Sequence, residues 1–185
     1  MNKIHDLAAI STEIEKCRTC KKDSSGKAVP GEGNPDAKIV FLGEAPGRTE
    51  AATGRPFIGR SGKFLRRLIR ASGFQESEVY ITSPVKYLPD AGTPTRDQIN
   101  HGKKHLLEQL NIIQPDIIVL LGRTAVSAIL DRPSAILQEH GKIIKQNGRT
   151  FMITLHPAAV IRFPKYADLI EQDFEKIAGM IQYKK

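Results

Sequence analysis

Four short apolar runs constrain this chain most: Lys38–Gly43, Val79–Val85, Asp116–Gly122 and Phe151–Leu155. Each is five to seven residues long and rich in Ile, Val, Phe or Tyr, and none alternates cleanly with polar residues. A strand with one wet face alternates, whereas a strand covered on both faces reads as a continuous apolar run, as in a parallel sheet. Helical patterns lie between the runs. Over Ser61–Ser72, Phe64, Leu65, Leu68 and Ile69 fall at helical spacing opposite Arg66, Arg67 and Arg70, with Gly73 as a stop. Thr95–Ile113 opens with Thr95 three residues before Gln98, a capping-box spacing. Arg123–Leu130 and Tyr166–Gln182 complete the set. This alternation predicts a three-layer α/β/α sandwich with a mainly parallel, four-stranded central sheet and right-handed crossovers. The 185 residues fit one domain spanning 1–185.

Ligands of such sheets sit beyond the carboxyl ends of the strands. Those ends deliver Gly43-Glu44-Ala-Pro-Gly47, Thr82-Ser83-Pro84, Gly122-Arg123-Thr124 and Leu155-His156-Pro157 to one expected cleft. The first end runs into a stretch containing Gly43, Gly47, Gly54, Gly59 and Gly62. Glycine permits close backbone approach and frees N–H groups to face an anion at a helix start. The stretch has neither the GxxxxGK[ST] register nor a GxGxxG pattern, which disfavours nucleoside triphosphates and dinucleotides. Glu44 is placed at the cleft mouth, where it is either a loop carboxylate or a reacting group. His156 at another strand end makes acid–base or charge-stabilising chemistry with it feasible. Phe57, an aromatic in a polar loop, is either a satellite core residue or a platform for a flat ligand.

Charge and cysteine content narrow the partners and compartment. A net charge of +8 and a pI near 9.6 favour a polyanion, nucleic acid being the commonest. No apolar run approaches the ~18–20 residues that span a bilayer, and the N-terminus lacks a signal-peptide core, so a cytoplasmic protein without membrane association is expected. The two cysteines, Cys17 and Cys20, form a CxxC pair after a helical pattern of Ile4, Leu7, Ile10 and Ile14. A reducing compartment disfavours a structural disulfide and the helical context disfavours a redox pair, which leaves half of a metal or cluster site, or two thiols without a ligand role.

The segments Gly43-Glu-Ala-Pro-Gly47, Thr53-Gly-Arg-Pro-Phe-Ile-Gly59 and Leu155-His-Pro-Ala-Ala159 resemble the signature motifs of the uracil-DNA glycosylase superfamily. The likeness is strongest to family 4, the iron–sulfur enzymes of thermophilic prokaryotes. It extends over roughly residues 14–175 through Val29-Pro-Gly-Glu-Gly-Asn34, Val79-Tyr-Ile-Thr82, Pro94-Thr95 and Pro115–Gly122. It implies the same sandwich fold, deaminated-base-containing DNA as partner, and a monomer that flips the target nucleotide into a pocket and hydrolyses its bond to the sugar.

By this resemblance Glu44 and His156 are catalytic, with Glu50 as a second acidic position. Gly43, Ala45, Phe57 and Ser83 form the base pocket. Ser61, Lys63 and Lys86 are candidate phosphate contacts, and Val160-Ile161-Arg162 enters the duplex where the base has left. Two departures stand out. The family's four cluster cysteines are reduced to Cys17 and Cys20, since Tyr87 and Gly102 stand at the other two positions; no ordinary four-iron cluster and no cofactor is expected. His101 and His105 are read as surface histidines, with a zinc on two thiolates and imidazole as the alternative. The asparagine that reads the uracil edge is replaced by Ser83, which opens hypoxanthine or xanthine as alternative substrates, or a weakly catalytic DNA-binding role. A covalent variant would need a histidine between Tyr87 and Thr95, and none is there.

Overall fold

The computed structural model describes residues 2–182; Met1 and residues 183–185 of the expected domain lie outside the described residues. The strands are β1 (Ser24–Ser25), β2 (Glu32–Gly33), β3 (Ile39–Leu42), β4 (Val79–Thr82), β5 (Leu88–Pro89), β6 (Ile117–Leu121), β7 (Ile143–Gln146) and β8 (Arg149–Thr154). The α-helices are α1 (Lys3–Lys16), α2 (Arg18–Lys21), α3 (Arg48–Thr53), α4 (Arg60–Ala71), α5 (Arg96–Ile113), α6 (Gly122–Leu130), α7 (Ile136–Glu139), α8 (Pro157–Arg162) and α9 (Ala167–Gln182).

The four apolar runs form the centre of one sheet in the order β2-β4-β3-β6-β8-β7. Within it β4, β3, β6 and β8 are parallel, with Leu42 opposite both Thr82 and Leu120, and Leu121 opposite Thr154. The sheet has two strands more than the four expected: β2 and β7 pair antiparallel at its edges. Neither left an apolar run, because β2 is two residues long and β7 alternates exposed and half-buried positions as edge strands do. A separate two-stranded ribbon pairs β1 with β5.

Successive strand residues point to opposite faces, so one continuous apolar run feeds two cores. Val40, Leu42, Ile118, Leu120 and Ile153 pack with Leu106, Leu110 and Ile113 of α5 and Val126 and Ile129 of α6. Ile39, Phe41, Ile117, Val119 and Met152 pack on the other face with Leu65, Leu68 and Ile69 of α4 and Ile170, Phe174 and Ile177 of α9. Each such side chain contributes roughly 1.5–3 kcal/mol on burial, and Phe41 stacks on Phe174 with ring centroids 5.5 Å apart.

The helix signals hold in detail. Thr95 caps α5 through a reciprocal pair, with Gln98 N–H donating to Thr95 Oγ1 (3.2 Å) and Thr95 N–H to Gln98 Oε1 (2.9 Å). Gly73 follows α4 at φ +84°, a left-handed stop. Among the described residues no helix is long and apolar enough to cross a membrane.

Candidate active site

From β3 the chain passes to β4 on one side and later to β6 on the other, which opens a crevice between the carboxyl ends of β3 and β6. Glu44, just past β3, and Thr124, in the first turn of α6, meet across it: Thr124 Oγ1 donates to Glu44 Oε2 at 2.5 Å. A cavity of about 450 Å³ opens there, lined by Glu44, Ala45, Glu50, Phe57, Ser61, Ser83 and His156. Four distant stretches of sequence thus converge on one space.

Gly43 shapes the cavity by lacking a side chain. A Cβ there would lie 2.5 Å from Cζ and 2.6 Å from Cε2 of Phe57, so the aromatic ring rests against bare backbone. Phe57 is half-buried with φ +50°, a conformation that side chains other than glycine adopt only when their surroundings impose it. Arg66 is the restraint: Nε donates to Phe57 O (3.0 Å) and Nη2 to Pro56 O (3.1 Å). The same guanidinium pairs with Glu32 and Glu76, both at 2.6 Å. Burial alone would raise the Glu32 carboxyl, but hydrogen bonds from Arg55 and Arg66 outweigh it and hold the group below its ordinary range.

Glu50 is buried, and its Oε1 accepts from the N–H groups of Ile58 (2.9 Å) and Gly59 (2.8 Å). These contacts make it a clasp on the loop that carries Phe57. His156 lies between β8 and α8 and caps that helix, its Nδ1 accepting from Ala158 N–H at 3.1 Å. The bond fixes the neutral tautomer: Nδ1 is spent as an acceptor, so the proton sits on Nε2. Burial pushes the imidazole below its ordinary range and the Glu44 charge pulls it partly back. The Phe57 and His156 rings have centroids 5.9 Å apart. Gly122 makes room for the histidine: at φ +87°, a Cβ would stand 2.8 Å from His156 Cβ. The Ser83 hydroxyl donates to Val85 O at 2.7 Å, which leaves it only lone pairs to offer the cavity.

Lys86 corrects an expectation. It was expected at a DNA phosphate, but it is 1% exposed and its Nζ donates to Pro30 O (3.0 Å), Thr82 Oγ1 (2.9 Å) and Gln109 Oε1 (2.8 Å). An ammonium group enclosed in this way cannot reach a duplex; it ties the end of β4 to the 29–31 segment and α5. Lys63 is exposed on α4 and Arg162 on α8, and Lys63 and half-buried Ile161 flank one groove between these helices together with Arg60 and Arg67. Val160, beside them, is buried. Thr124 was expected at the cleft only as the last residue of the Gly122-Arg123-Thr124 strand end, and Arg66 only as part of a polar helix face; neither was given a role from sequence.

A second constellation lies apart from the cavity. Cys17, Cys20, His101 and His105 each offer a ligand atom within 4.8 Å of the others. The two histidines are half-buried and face the thiols, so the surface reading is corrected. These residues do not fit the four-thiolate cluster that the resemblance implies. Tyr87 is buried and its hydroxyl donates to Ile14 O (3.2 Å) and Glu15 O (3.3 Å), while a Cβ on Gly102 would stand 2.0 Å from Pro84 O.

The profile of the uracil DNA glycosylase superfamily matches residues 30–178. A Type-4 uracil-DNA glycosylase of Sulfurisphaera tokodaii is 38% identical over 182 residues, covering 92% of this chain and 83% of that protein. The Type-4 uracil-DNA glycosylase of Thermotoga maritima is 37% identical, covering 95% of each chain. A DNA polymerase of Bacillus phage SP01 is 32% identical over 88% of this chain but only 18% of its own length.

Proposed function

Because this chain belongs to the uracil-DNA glycosylase superfamily, we propose that it excises uracil from DNA by hydrolysing the bond between base and sugar, leaving an abasic site. The observation that carries this reading is the meeting of Glu44, Phe57, Ser83 and His156 around one cavity. The nucleotide leaves the stack and its base lies on Phe57. As the C1′–N1 bond breaks, the bonding electrons pass to the base and positive charge develops on the sugar. The Nε2–H of neutral His156 donates to the departing uracil anion; fixed beforehand by Ala158, this dipole needs no reorganisation as charge builds. Glu44, oriented by Thr124, faces the sugar, stabilises its cation and takes the proton of the water that adds to C1′. Glu50 acts one step away, holding the Phe57 loop through the 58 and 59 amides.

The Ser83 acceptor supports selection against cytosine. Uracil presents N3–H where cytosine presents a lone pair, and a hydroxyl whose proton is committed to Val85 can only accept. Hypoxanthine carries a similar N–H beside a carbonyl, so the same contact tolerates it. Cations at the groove between α4 and α8 hold phosphates, and Ile161 with Arg162 supports the opened duplex.

The test is a labelled oligonucleotide bearing one uracil, incubated with enzyme in excess and cleaved by alkali. Strand scission at the uracil is expected, with hypoxanthine slower and cytosine intact. Absence of any abasic product from the folded protein refutes the glycosylase assignment; scission only at hypoxanthine refutes the choice of uracil.

A further inference from the structure

The geometry points to a mononuclear zinc site built from Cys17, Cys20, His101 and His105, standing where the family's relatives by motif would hold a four-thiolate cluster. It is independent of the proposed activity. Cys17 ends α1 and begins α2, and its sulfur accepts from the Cys20 N–H at 3.4 Å, which folds the CxxC segment into a turn with both sulfurs on one side. His101 and His105 are four residues apart on α5 and so share one face. Cys17 Sγ lies 3.1 Å from His101 Nε2, and the four ligand atoms lie within 4.8 Å of one another. A tetrahedral zinc with bonds of about 2.3 Å to sulfur and 2.0–2.1 Å to nitrogen requires ligand separations of about 3.3–3.8 Å, within reach of small side-chain adjustments.

Three features distinguish zinc from iron–sulfur chemistry at this position. The third and fourth thiolates have no place, since Tyr87 is fastened to the end of α1 and the Gly102 Cα abuts the Pro84 carbonyl. A two-iron cluster with its cysteines on one iron and histidines on the other would hold the two pairs farther apart than 4.8 Å. Two thiolates also balance the charge of a divalent cation, so the half-buried centre is neutral when filled. Binding replaces two S–H bonds by two Zn–S bonds and releases two protons.

A second observation points to a ligand at the same place. His105 Nδ1 is buried without a hydrogen-bond partner, 3.7 Å from Glu108 Oε2. A metal on one ring nitrogen acidifies the N–H of the other and strengthens its attraction to a nearby carboxylate, the usual outer-shell arrangement of a zinc-bound histidine. All four positions are filled by protein, so the site has no opening for substrate and its role is structural. It fastens α2 to α5 beside the β1–β5 ribbon, and Leu88 of β5 lines the base cavity.

The experiment is elemental analysis of protein produced in medium containing both zinc and iron and purified without chelator, followed by cobalt replacement. One zinc per chain, no iron and no acid-labile sulfide are expected. Cobalt added to the stripped protein should give the intense d–d bands of tetrahedral coordination and a thiolate-to-cobalt charge-transfer band. Cys20→Ser and His105→Ala should each lose stoichiometric zinc; should either fail to fold, the wild-type zinc content and cobalt spectrum decide alone. Wild-type protein with two freely titrating thiols and no zinc overturns the inference, as does iron with sulfide, an octahedral cobalt spectrum, or full zinc retention in folded Cys20→Ser.

Discussion

In a Gly43→Ala variant the new methyl group stands 2.5 and 2.6 Å from two ring carbons of Phe57. Carbon atoms settle at about 3.5–4.0 Å, so roughly 1 Å of displacement is required. The backbone of Phe57 cannot supply it. Arg66 grips the Phe57 and Pro56 carbonyls, and on the far side a Cβ at Gly62 would lie 1.9 Å from the Phe57 carbonyl, showing how closely α4 is packed against this loop. The ring must therefore tilt away from Gly43, into the space where the flipped base lies. A misplacement of about 1 Å at a reacting centre costs on the order of 10²-fold in rate, or about 2.7 kcal/mol of transition-state stabilisation. Single-turnover excision of uracil with enzyme in excess measures it, with a denaturant melt as the control. Stability should change little, because the ring moves into open space. A double-mutant cycle supplies the decisive comparison: once Phe57→Ala has removed the ring, Gly43→Ala should slow excision by less than about twofold further. Full activity in folded Gly43→Ala, or an undiminished effect in the ring-less background, would refute the stacking assignment.

Three further outcomes follow from contacts around the cavity. Thr124→Val removes the only hydroxyl bonded to Glu44 among the described residues; a hydrogen bond to a charged group is worth about 1.5–3 kcal/mol, so single-turnover excision should fall about 10- to 100-fold with DNA affinity, read by fluorescence anisotropy, unchanged. Burial holds His156 below its ordinary range, and protonation would take the Nδ1 lone pair from Ala158 N–H. The acid limb of the excision rate should therefore fall below about pH 6.5, the free-histidine value, and a limb above it in a pH–rate profile would contradict a neutral donor. Burial also pushes the Lys86 ammonium down to about 7. Between about pH 7 and 9 the unfolded chain keeps a proton that the folded chain has released, so stability should rise by about 2 kcal/mol. Urea melts should show this gain as a difference from Lys86→Met, in which that contribution is absent; equal pH slopes in the two proteins would contradict it.

Much of the fold was legible because burial on both faces leaves a one-dimensional trace. An unbroken run such as Ile39–Leu42 serves two cores, and the Thr95–Gln98 pair marks a helix start within four residues. The convergence of Glu44, Ser83 and His156 was also foreseeable, since the carboxyl ends of parallel strands share one edge, whereas Phe57, on a loop, was placed there by the family resemblance alone. Edge strands β2 and β7 left no such trace, being short or half-wet.

The chain by itself therefore determined the elements, their layering and the strand ends that meet. Periodicity and capping are local, and each is written within a few residues. The employment of the polar groups away from helix caps was decided only in three dimensions. Lys86 follows a strand like a phosphate contact but lies enclosed by Pro30, Thr82 and Gln109, while Thr124, 80 residues from Glu44, is brought into hydrogen-bonding distance of it. His101 and His105, read from sequence as helix-surface residues, face Cys17 and Cys20, although His101 lies 84 positions beyond Cys17 in the chain. Direction, enclosure and partner are properties of packed neighbours, and a linear sequence does not list a residue's neighbours in space.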